Sequence, residues 1–186
     1  MPRPAEPGRN ALLDAGAEVA AREGLRGLSV NAVVQAAGMA KGTFYHHFPD
    51  RRGYVVALHR RYHEQLAVTI AAAVGDREPG PDRLRAGLTA YLDACLATRG
   101  TKAFLAQSRT DADLLDEVNA RNQLVAAVIV PDLAVLGWAD PASVAHLVIA
   151  MAAETALAEL YSAAPRPELR AALTALIERH PRGDAG

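Results

Sequence analysis

Cysteine is nearly absent from this sequence: Cys95 stands alone, which excludes an internal disulfide and fits a reducing compartment. Aromatic residues are scarce, at 5%. Overall charge is almost missing, with a formal net of −1, so the chain as a whole is no polycation. Uninterrupted apolar runs are short against the roughly 18 residues that a membrane-spanning helix needs. Even the stretch 147–158 is broken by Glu154, and no span is expected. Residues 1–8 are proline-rich and lack an apolar signal core, so no secretory signal and a cytoplasmic location are expected. The constellations of catalysis are missing as well. There is no nucleophile spaced with a base and no full metal-ligand set, and Lys41-Gly42-Thr43 is too short for a phosphate-binding loop; neither enzyme activity nor a cofactor is expected. His59 and His63 lie one helical turn apart and present two imidazoles on one face, but two ligands do not make a metal site. A solvated or pocket-lining pair is expected there. Cys95 sits inside an apolar stripe and reads as a small core residue.

What is present is enough to build a core. The 186 residues are 51% hydrophobic, sufficient for one extended helical domain or two small ones. Charge is unevenly divided: through Arg61 there are nine Lys and Arg against five Asp and Glu, and thereafter eleven against sixteen. A basic head on an acidic body keeps phosphate attraction local to the head.

The most informative stretch is 24–58. Ser29 is a good N-cap, and Val30, Val33, Val34 and Ala37 follow at helix-face spacing, which predicts a helix of about two turns over 29–37. Gly38 then stands where a left-handed residue closes a helix, and Met39 where the apolar closing contact is made. In the following run, 41–48, Phe44 and Phe48 face the core. Lys41, Gly42, Thr43, Tyr45 and His46 face outward, a surface rich in donors and free of acids. A helix, a glycine turn and a second helix with a polar N-terminal face form a helix-turn-helix pattern. Upstream, Leu12, Ala15, Gly16, Val19 and Ala20 make one face of a supporting helix over 9–23, ended by Gly24. Downstream, Pro49 breaks the second helix and Asp50 caps a long one over 51–74.

The run from Ala37-Gly38 through Lys41-Gly42-Thr43-Phe44-Tyr45-His46-His47-Phe48 to Asp50-Arg51-Arg52 resembles the N-terminal domain of TetR-family transcriptional regulators. The close resemblance covers residues 9–60; beyond it, only length and helical layout are similar. One position departs: Ala40 stands where the family commonly places a Ser or Thr, which removes a side-chain cap worth about 1 kcal/mol from the recognition helix. The resemblance implies an all-α fold of about nine helices, with a three-helix helix-turn-helix head and a helical ligand-binding and dimerisation body. It also implies repression of transcription from a palindromic operator bound as a dimer, relieved by a small-molecule effector. The expected divisions are a flexible arm at 1–8, the DNA-binding head at 9–54, the body at 55–181 and a tail at 182–186.

Along the body, residues 75–82 with Pro79-Gly80-Pro81 read as a linker, and Leu84, Leu88, Tyr91, Leu92 and Cys95 as the next apolar stripe. A short helix is expected at 101–108, carrying Phe104 and Leu105. A longer one follows, capped at 111–113, with Leu114, Leu115, Val118, Val125, Val128, Ile129, Leu133 and Leu136 on its inner side; Pro131 should kink or divide it. Gly137 closes that segment and Asp140-Pro141 opens an alanine-rich helix over 141–163. A last helix, 167–180, carries Leu169, Leu173, Leu176 and Ile177. These two helices can pair with their copies as a four-helix bundle, the dimer that the resemblance implies. The Arg182-Gly183-Asp184 tripeptide has no role in such a protein.

For DNA, the chemistry and the family's motif positions point to eight residues. Ser29 offers a hydroxyl to a phosphate, and Tyr45, His46 and Arg51 stand for further backbone contacts. Lys41 suits guanine acceptors, Thr43 a thymine methyl, and Gly42 lets the helix approach the groove; Asn31 is a further base-reading candidate. For the effector implied by the resemblance, the polar candidates are Tyr62, Tyr91, Gln107, Asn122, His146 and Glu154. The apolar ones are Leu88, Phe104, Val125, Ile129 and Met151. The alternative is a helical interaction protein that keeps the head without sequence-specific repression.

Overall fold

The computed structural model of the chain describes residues 5–98 and 114–178. Among them run eight helices: α1 (Ala5–Gly27), α2 (Val30–Ala36), α3 (Lys41–His47), α4 (Arg51–Val74), α5 (Pro81–Ala97), α6 (Leu115–Val135), α7 (Pro141–Ser162) and α8 (Pro167–Glu178). The expected helix at 101–108, the cap at 111–113 and the tripeptide at 182–184 lie outside the described residues. The chain forms two compact units, one within Met1–Gln65 and Thr98–Val118, the other within Leu66–Ala97 and Asn119–Gly186.

In the first unit, α1 supplies Leu12, Leu13, Val19 and Ala20 to a core that also holds Val33, Phe44, Phe48, Tyr54, Val55, Leu58 and Leu114. The helix begins at Ala5 and not at Arg9, because Pro7 falls in the first turn, where no amide hydrogen is needed for the ladder. Its regular run stops at Gly24, whose φ of 68° few side chains tolerate. Gly16 lets Tyr54 approach α1 so closely that the phenol donates a 2.6 Å hydrogen bond to the Leu12 carbonyl. Burial pushes the Tyr54 hydroxyl well above its usual pKa, so it stays a donor.

The α2–α3 turn follows the expectation drawn from Gly38 and Met39. Gly38 has a φ of 63°, its amide donates to the Gln35 carbonyl at 3.2 Å, and Met39 donates to Val34 at 2.9 Å. That pair of bonds is the Schellman closure, with Met39 packed on the core beside it. The same closure recurs at the end of α6, where Gly137 donates to Ala134 and Trp138 to Leu133.

The second unit is built on Leu84, Ala126, Leu133, Ala145, Val148, Ala152, Leu173 and Ile177, with Leu92, Cys95 and Ala156 as a smaller patch. Cys95 is buried, as its place in the apolar stripe required. Pro131 stays inside one continuous α6. The inner face of that helix differs from expectation: Leu115, Val125 and Val128 are exposed, while Ala126 and Asp132 are buried. Apolar residues occur on both sides of α6, and an ion pair selects between them. Arg83 grips Asp132 through two bonds of 2.7 and 2.9 Å, and the Gly80 amide adds a third at 2.8 Å.

Asp140 accepts from the Ser143 amide at 3.0 Å and Pro141 opens α7, as the sequence implied. By length and composition α7 is, against expectation, apolar enough to cross a membrane. In the fold its inner residues Val148, Ala152 and Thr155 are buried, and so is Glu159, held by Arg170 of α8.

Candidate nucleic-acid interface

Recognition chemistry needs side chains that the fold positions without consuming. In α3 the two phenylalanines do the positioning: Phe44 and Phe48 are buried, and each packs its ring about Tyr54, with centroids 5.0 and 4.9 Å away. Four residues of the outward face are thereby left exposed: Lys41, Gly42, Tyr45 and His46, with Thr43 half-buried. A side chain at Gly42 would meet nothing within 4 Å, so a surface can approach the helix backbone there. No acid lies in the first turn of α3.

The first helix of the pair presents its N-terminus on exposed residues. Ser29 adopts an extended backbone and its Oγ accepts from the Ala32 amide at 3.1 Å, capping α2; Asn31 is exposed. At α3 the corresponding position is Ala40, which makes no side-chain cap. Ala40→Ser is therefore expected to raise the stability of the protein by about 1 kcal/mol, read as a higher midpoint in thermal unfolding.

Arg51 has a structural task in addition to its proximity to the site. Its Nε donates to the Leu28 carbonyl at 2.8 Å and its Nη2 to Leu25 at 3.0 Å, satisfying carbonyls at the end of α1. Arg9 and His47 also lie beside this face. The Arg9 guanidinium lies 5.4 Å from the Phe48 ring centroid, and the His47 ring is 5.0 Å from that of His46. Desolvation above all, then the charges of His46 and Arg9, holds the His47 imidazole below its ordinary pKa. A groove of about 710 Å³ beside them is walled by Arg9, Asn10, His47, Arg60 and Arg61. Its cations are engaged within the unit: Arg60 grips Glu117 at 2.8 and 2.6 Å, and Arg61 binds Asp14 and the Asn10 carbonyl.

The effector candidates are only partly gathered. Leu88, Tyr91, Ile129 and Met151 pack against the core of the second unit. Val125, His146 and Glu154 face outward, Asn122 is half-buried beside Arg121, and Tyr62 belongs to the first unit. Phe104 and Gln107 lie outside the described residues. His59 is buried against His63, ring centroids 4.5 Å apart, and no group of three potential metal ligands occurs among the described residues.

A capped short helix, a glycine closure and a second helix with an exposed donor face define a helix-turn-helix DNA-binding domain on a helical body. Residues 12–58 match the bacterial regulatory proteins of the tetR family. The head is thus similar to the DNA-binding domain of those regulatory proteins. The whole fold is shared with solved regulators. A TetR-like transcriptional regulator from Rhodococcus sp. RHA1 superimposes with a TM-score of 0.77 at 17% identity, over 99% of this chain and 100% of that one. A second Rhodococcus regulator gives 0.75 at 23% identity, over 93% and 99%. The fatty acid degradation regulator FadR from Bacillus halodurans gives 0.74 at 16% identity, over 95% and 97%. No curated protein matches the chain.

Proposed function

We propose that this protein is a repressor that binds a palindromic operator as a homodimer and is released by a small-molecule effector. The observation that carries the reading is the outer face of α3, where Lys41, Tyr45 and His46 stand exposed around the open backbone of Gly42 while two buried phenylalanines hold the helix. Lys41 suits guanine O6 and N7, Thr43 a thymine methyl, and Asn31 a neighbouring base edge. Ser29, Tyr45 and His46 supply phosphate contacts, and Arg51 serves mainly to hold the turn behind them.

One head of this size covers too few base pairs for tight binding, so two heads on a two-fold site are expected. The body suits a dimer: the outer sides of α7 and α8 expose Leu147, Tyr161 and Leu176 together with small residues. An effector of aliphatic or modest size fits the region of Leu88, Tyr91, Ile129 and Met151, because few aromatic rings are available for stacking. Binding there would act by favouring an arrangement of the heads that no longer fits successive major grooves. The setting is cytoplasmic.

Selection of bound sequences by the purified protein from a random duplex pool tests this reading. Enrichment of a two-fold symmetric site supports it; a folded protein that enriches nothing sinks it in favour of an interaction protein. On the enriched duplex, Lys41→Ala is expected to lower affinity about 10- to 100-fold, read by fluorescence anisotropy.

A further inference from the structure

We propose that the groove beside the end of α3 binds a small organic carboxylate, with Arg9 and His47 as its donors. The site lies wholly within the first unit, apart from the effector region of the body, and does not depend on the repressor reading.

Two of the cations that wall this groove are spent on carboxylates. Arg60 is held by Glu117, and Arg61 by Asp14 and the Asn10 carbonyl. Arg9 is used differently. Its guanidinium lies over the Phe48 ring, a contact made by the face of the group, and among the described residues no acceptor takes its N–H edge. His47, the last residue of α3, is half-buried on the same wall and likewise has no hydrogen-bond partner among the described residues. Packing holds both groups in place. Arg9 rests on Phe48, and His47 closes against the bare Gly8, where a Cβ would come within 2.8 Å of its Nε2. After desolvation, the charges of His46 and Arg9 depress the His47 pKa, and an anion between His47 and Arg9 would relieve that repulsion. Two ordered donors from α1 and α3, lining one groove and lacking an acceptor, supply what a single oxyanion needs.

The rest of the groove sets the class of ligand. Its volume of about 710 Å³ is that of a small-molecule site, and Pro49, Val56 and Ala57 give it an apolar side, so the ligand carries a hydrocarbon body as well as a charge. Glu64 lines the other end, about 12 Å further along α4 than Val56, and repels a second anionic group there. A monoanion with its carboxylate on Arg9 and His47 meets both conditions, and the planar fork of Arg9 matches a carboxylate through two parallel bonds. Such a ligand ties the start of α1 to the end of the recognition helix.

Hexanoate serves as the probe, with hexanol as its uncharged counterpart and inorganic phosphate as an oxyanion without a hydrocarbon body. In the full chain labelled with nitrogen-15 histidine, six imidazoles report, and the His47 signals are identified by their loss in His47→Gln. Hexanoate is expected to move the His47 signals saturably, with a dissociation constant on the order of 1 mM or below; hexanol is expected to leave them in place, and phosphate to need at least about tenfold more. Arg9→Gln is expected to weaken hexanoate at least about tenfold and Arg9→Lys less, because lysine keeps the charge without the fork. The thermal midpoint of each variant without ligand establishes that the head is folded. No saturable response to hexanoate, or a response that Arg9→Gln leaves unchanged, overturns the proposal. It is also overturned if the enriched duplex moves the His47 signals and hexanoate does not, since the donors then serve nucleic-acid phosphate alone.

Discussion

Replacing Arg170 by alanine is expected to destabilise the protein by about 3–5 kcal/mol, enough to unfold a marginal body at physiological temperature. The reason is what it leaves behind. Glu159 is fully buried, and Arg170 meets it through Nε at 2.6 Å and Nη2 at 2.8 Å while Nη1 reaches Asp93 at 2.6 Å. The Arg166 amide adds a further bond to Glu159 at 2.9 Å. Without the guanidinium a carboxylate stays buried with one backbone donor. The paired replacement Glu159→Gln with Arg170→Met removes both charges and is expected to recover most of the loss, measured by denaturant unfolding of the four proteins in a double-mutant cycle.

The same clamp gives a pH dependence of definite sign. The bonds from Arg170 hold the Glu159 carboxyl below its ordinary pKa in the folded state. Its stabilisation is therefore complete above the unfolded carboxylate value, about 4.3, and is lost as pH falls through the lower folded value. Acid unfolding is expected to begin at higher pH in a chain that keeps Glu159 but lacks Arg170.

Gly16→Ala is expected to cost at least about 3 kcal/mol, although alanine ordinarily favours a helix over glycine by about 0.5–1 kcal/mol. A Cβ at this position would sit 1.7 Å from the Tyr54 Oη and 2.8 Å from its Cζ. Tyr54 is buried with its ring against Phe44 and Phe48, so it has no room to withdraw, and retreat would break its bond to the Leu12 carbonyl. Loss of the α3 foothold is expected to abolish DNA binding together with stability. The double variant Gly16→Ala with Tyr54→Phe removes the nearest atom and is expected to recover part of the loss; thermal unfolding followed by circular dichroism checks both.

The contrast between these sites explains what the sequence disclosed. Gly38, Gly137, Ser29 and Asp140 act on atoms a few residues away, so their turns and caps were readable from local pattern. Phe44 and Phe48 were legible because their one-turn spacing leaves only one face for the core, and that also identified the outer face of α3. The partners of Arg51, Arg83 and Arg170 are distant in sequence, and no periodicity brings Glu159 to Arg170 or Asp132 to Arg83. The inner side of α6 was legible at Val118 and Leu133 but misjudged at Leu115, Val125 and Val128, since Val125 and Val128 compete with Ala126 until Asp132 is known to be paired inside. Gly16 belonged to the predicted apolar face of α1, but its need for no side chain depends on Tyr54, far along the chain. The effector region is the least legible, because apolar lining residues carry the same pattern as ordinary core.

The most direct test of the central claim, that the α3 face of a dimer reads a two-fold operator, is titration of the enriched duplex at two salt concentrations with the bound stoichiometry measured alongside. The prediction is two chains per duplex, an affinity that falls steeply as salt rises, and a shallower slope for variants that remove a cation from the α3 face, such as Lys41→Ala. Salt-insensitive binding, or equal affinity for a scrambled duplex at both concentrations, would contradict it.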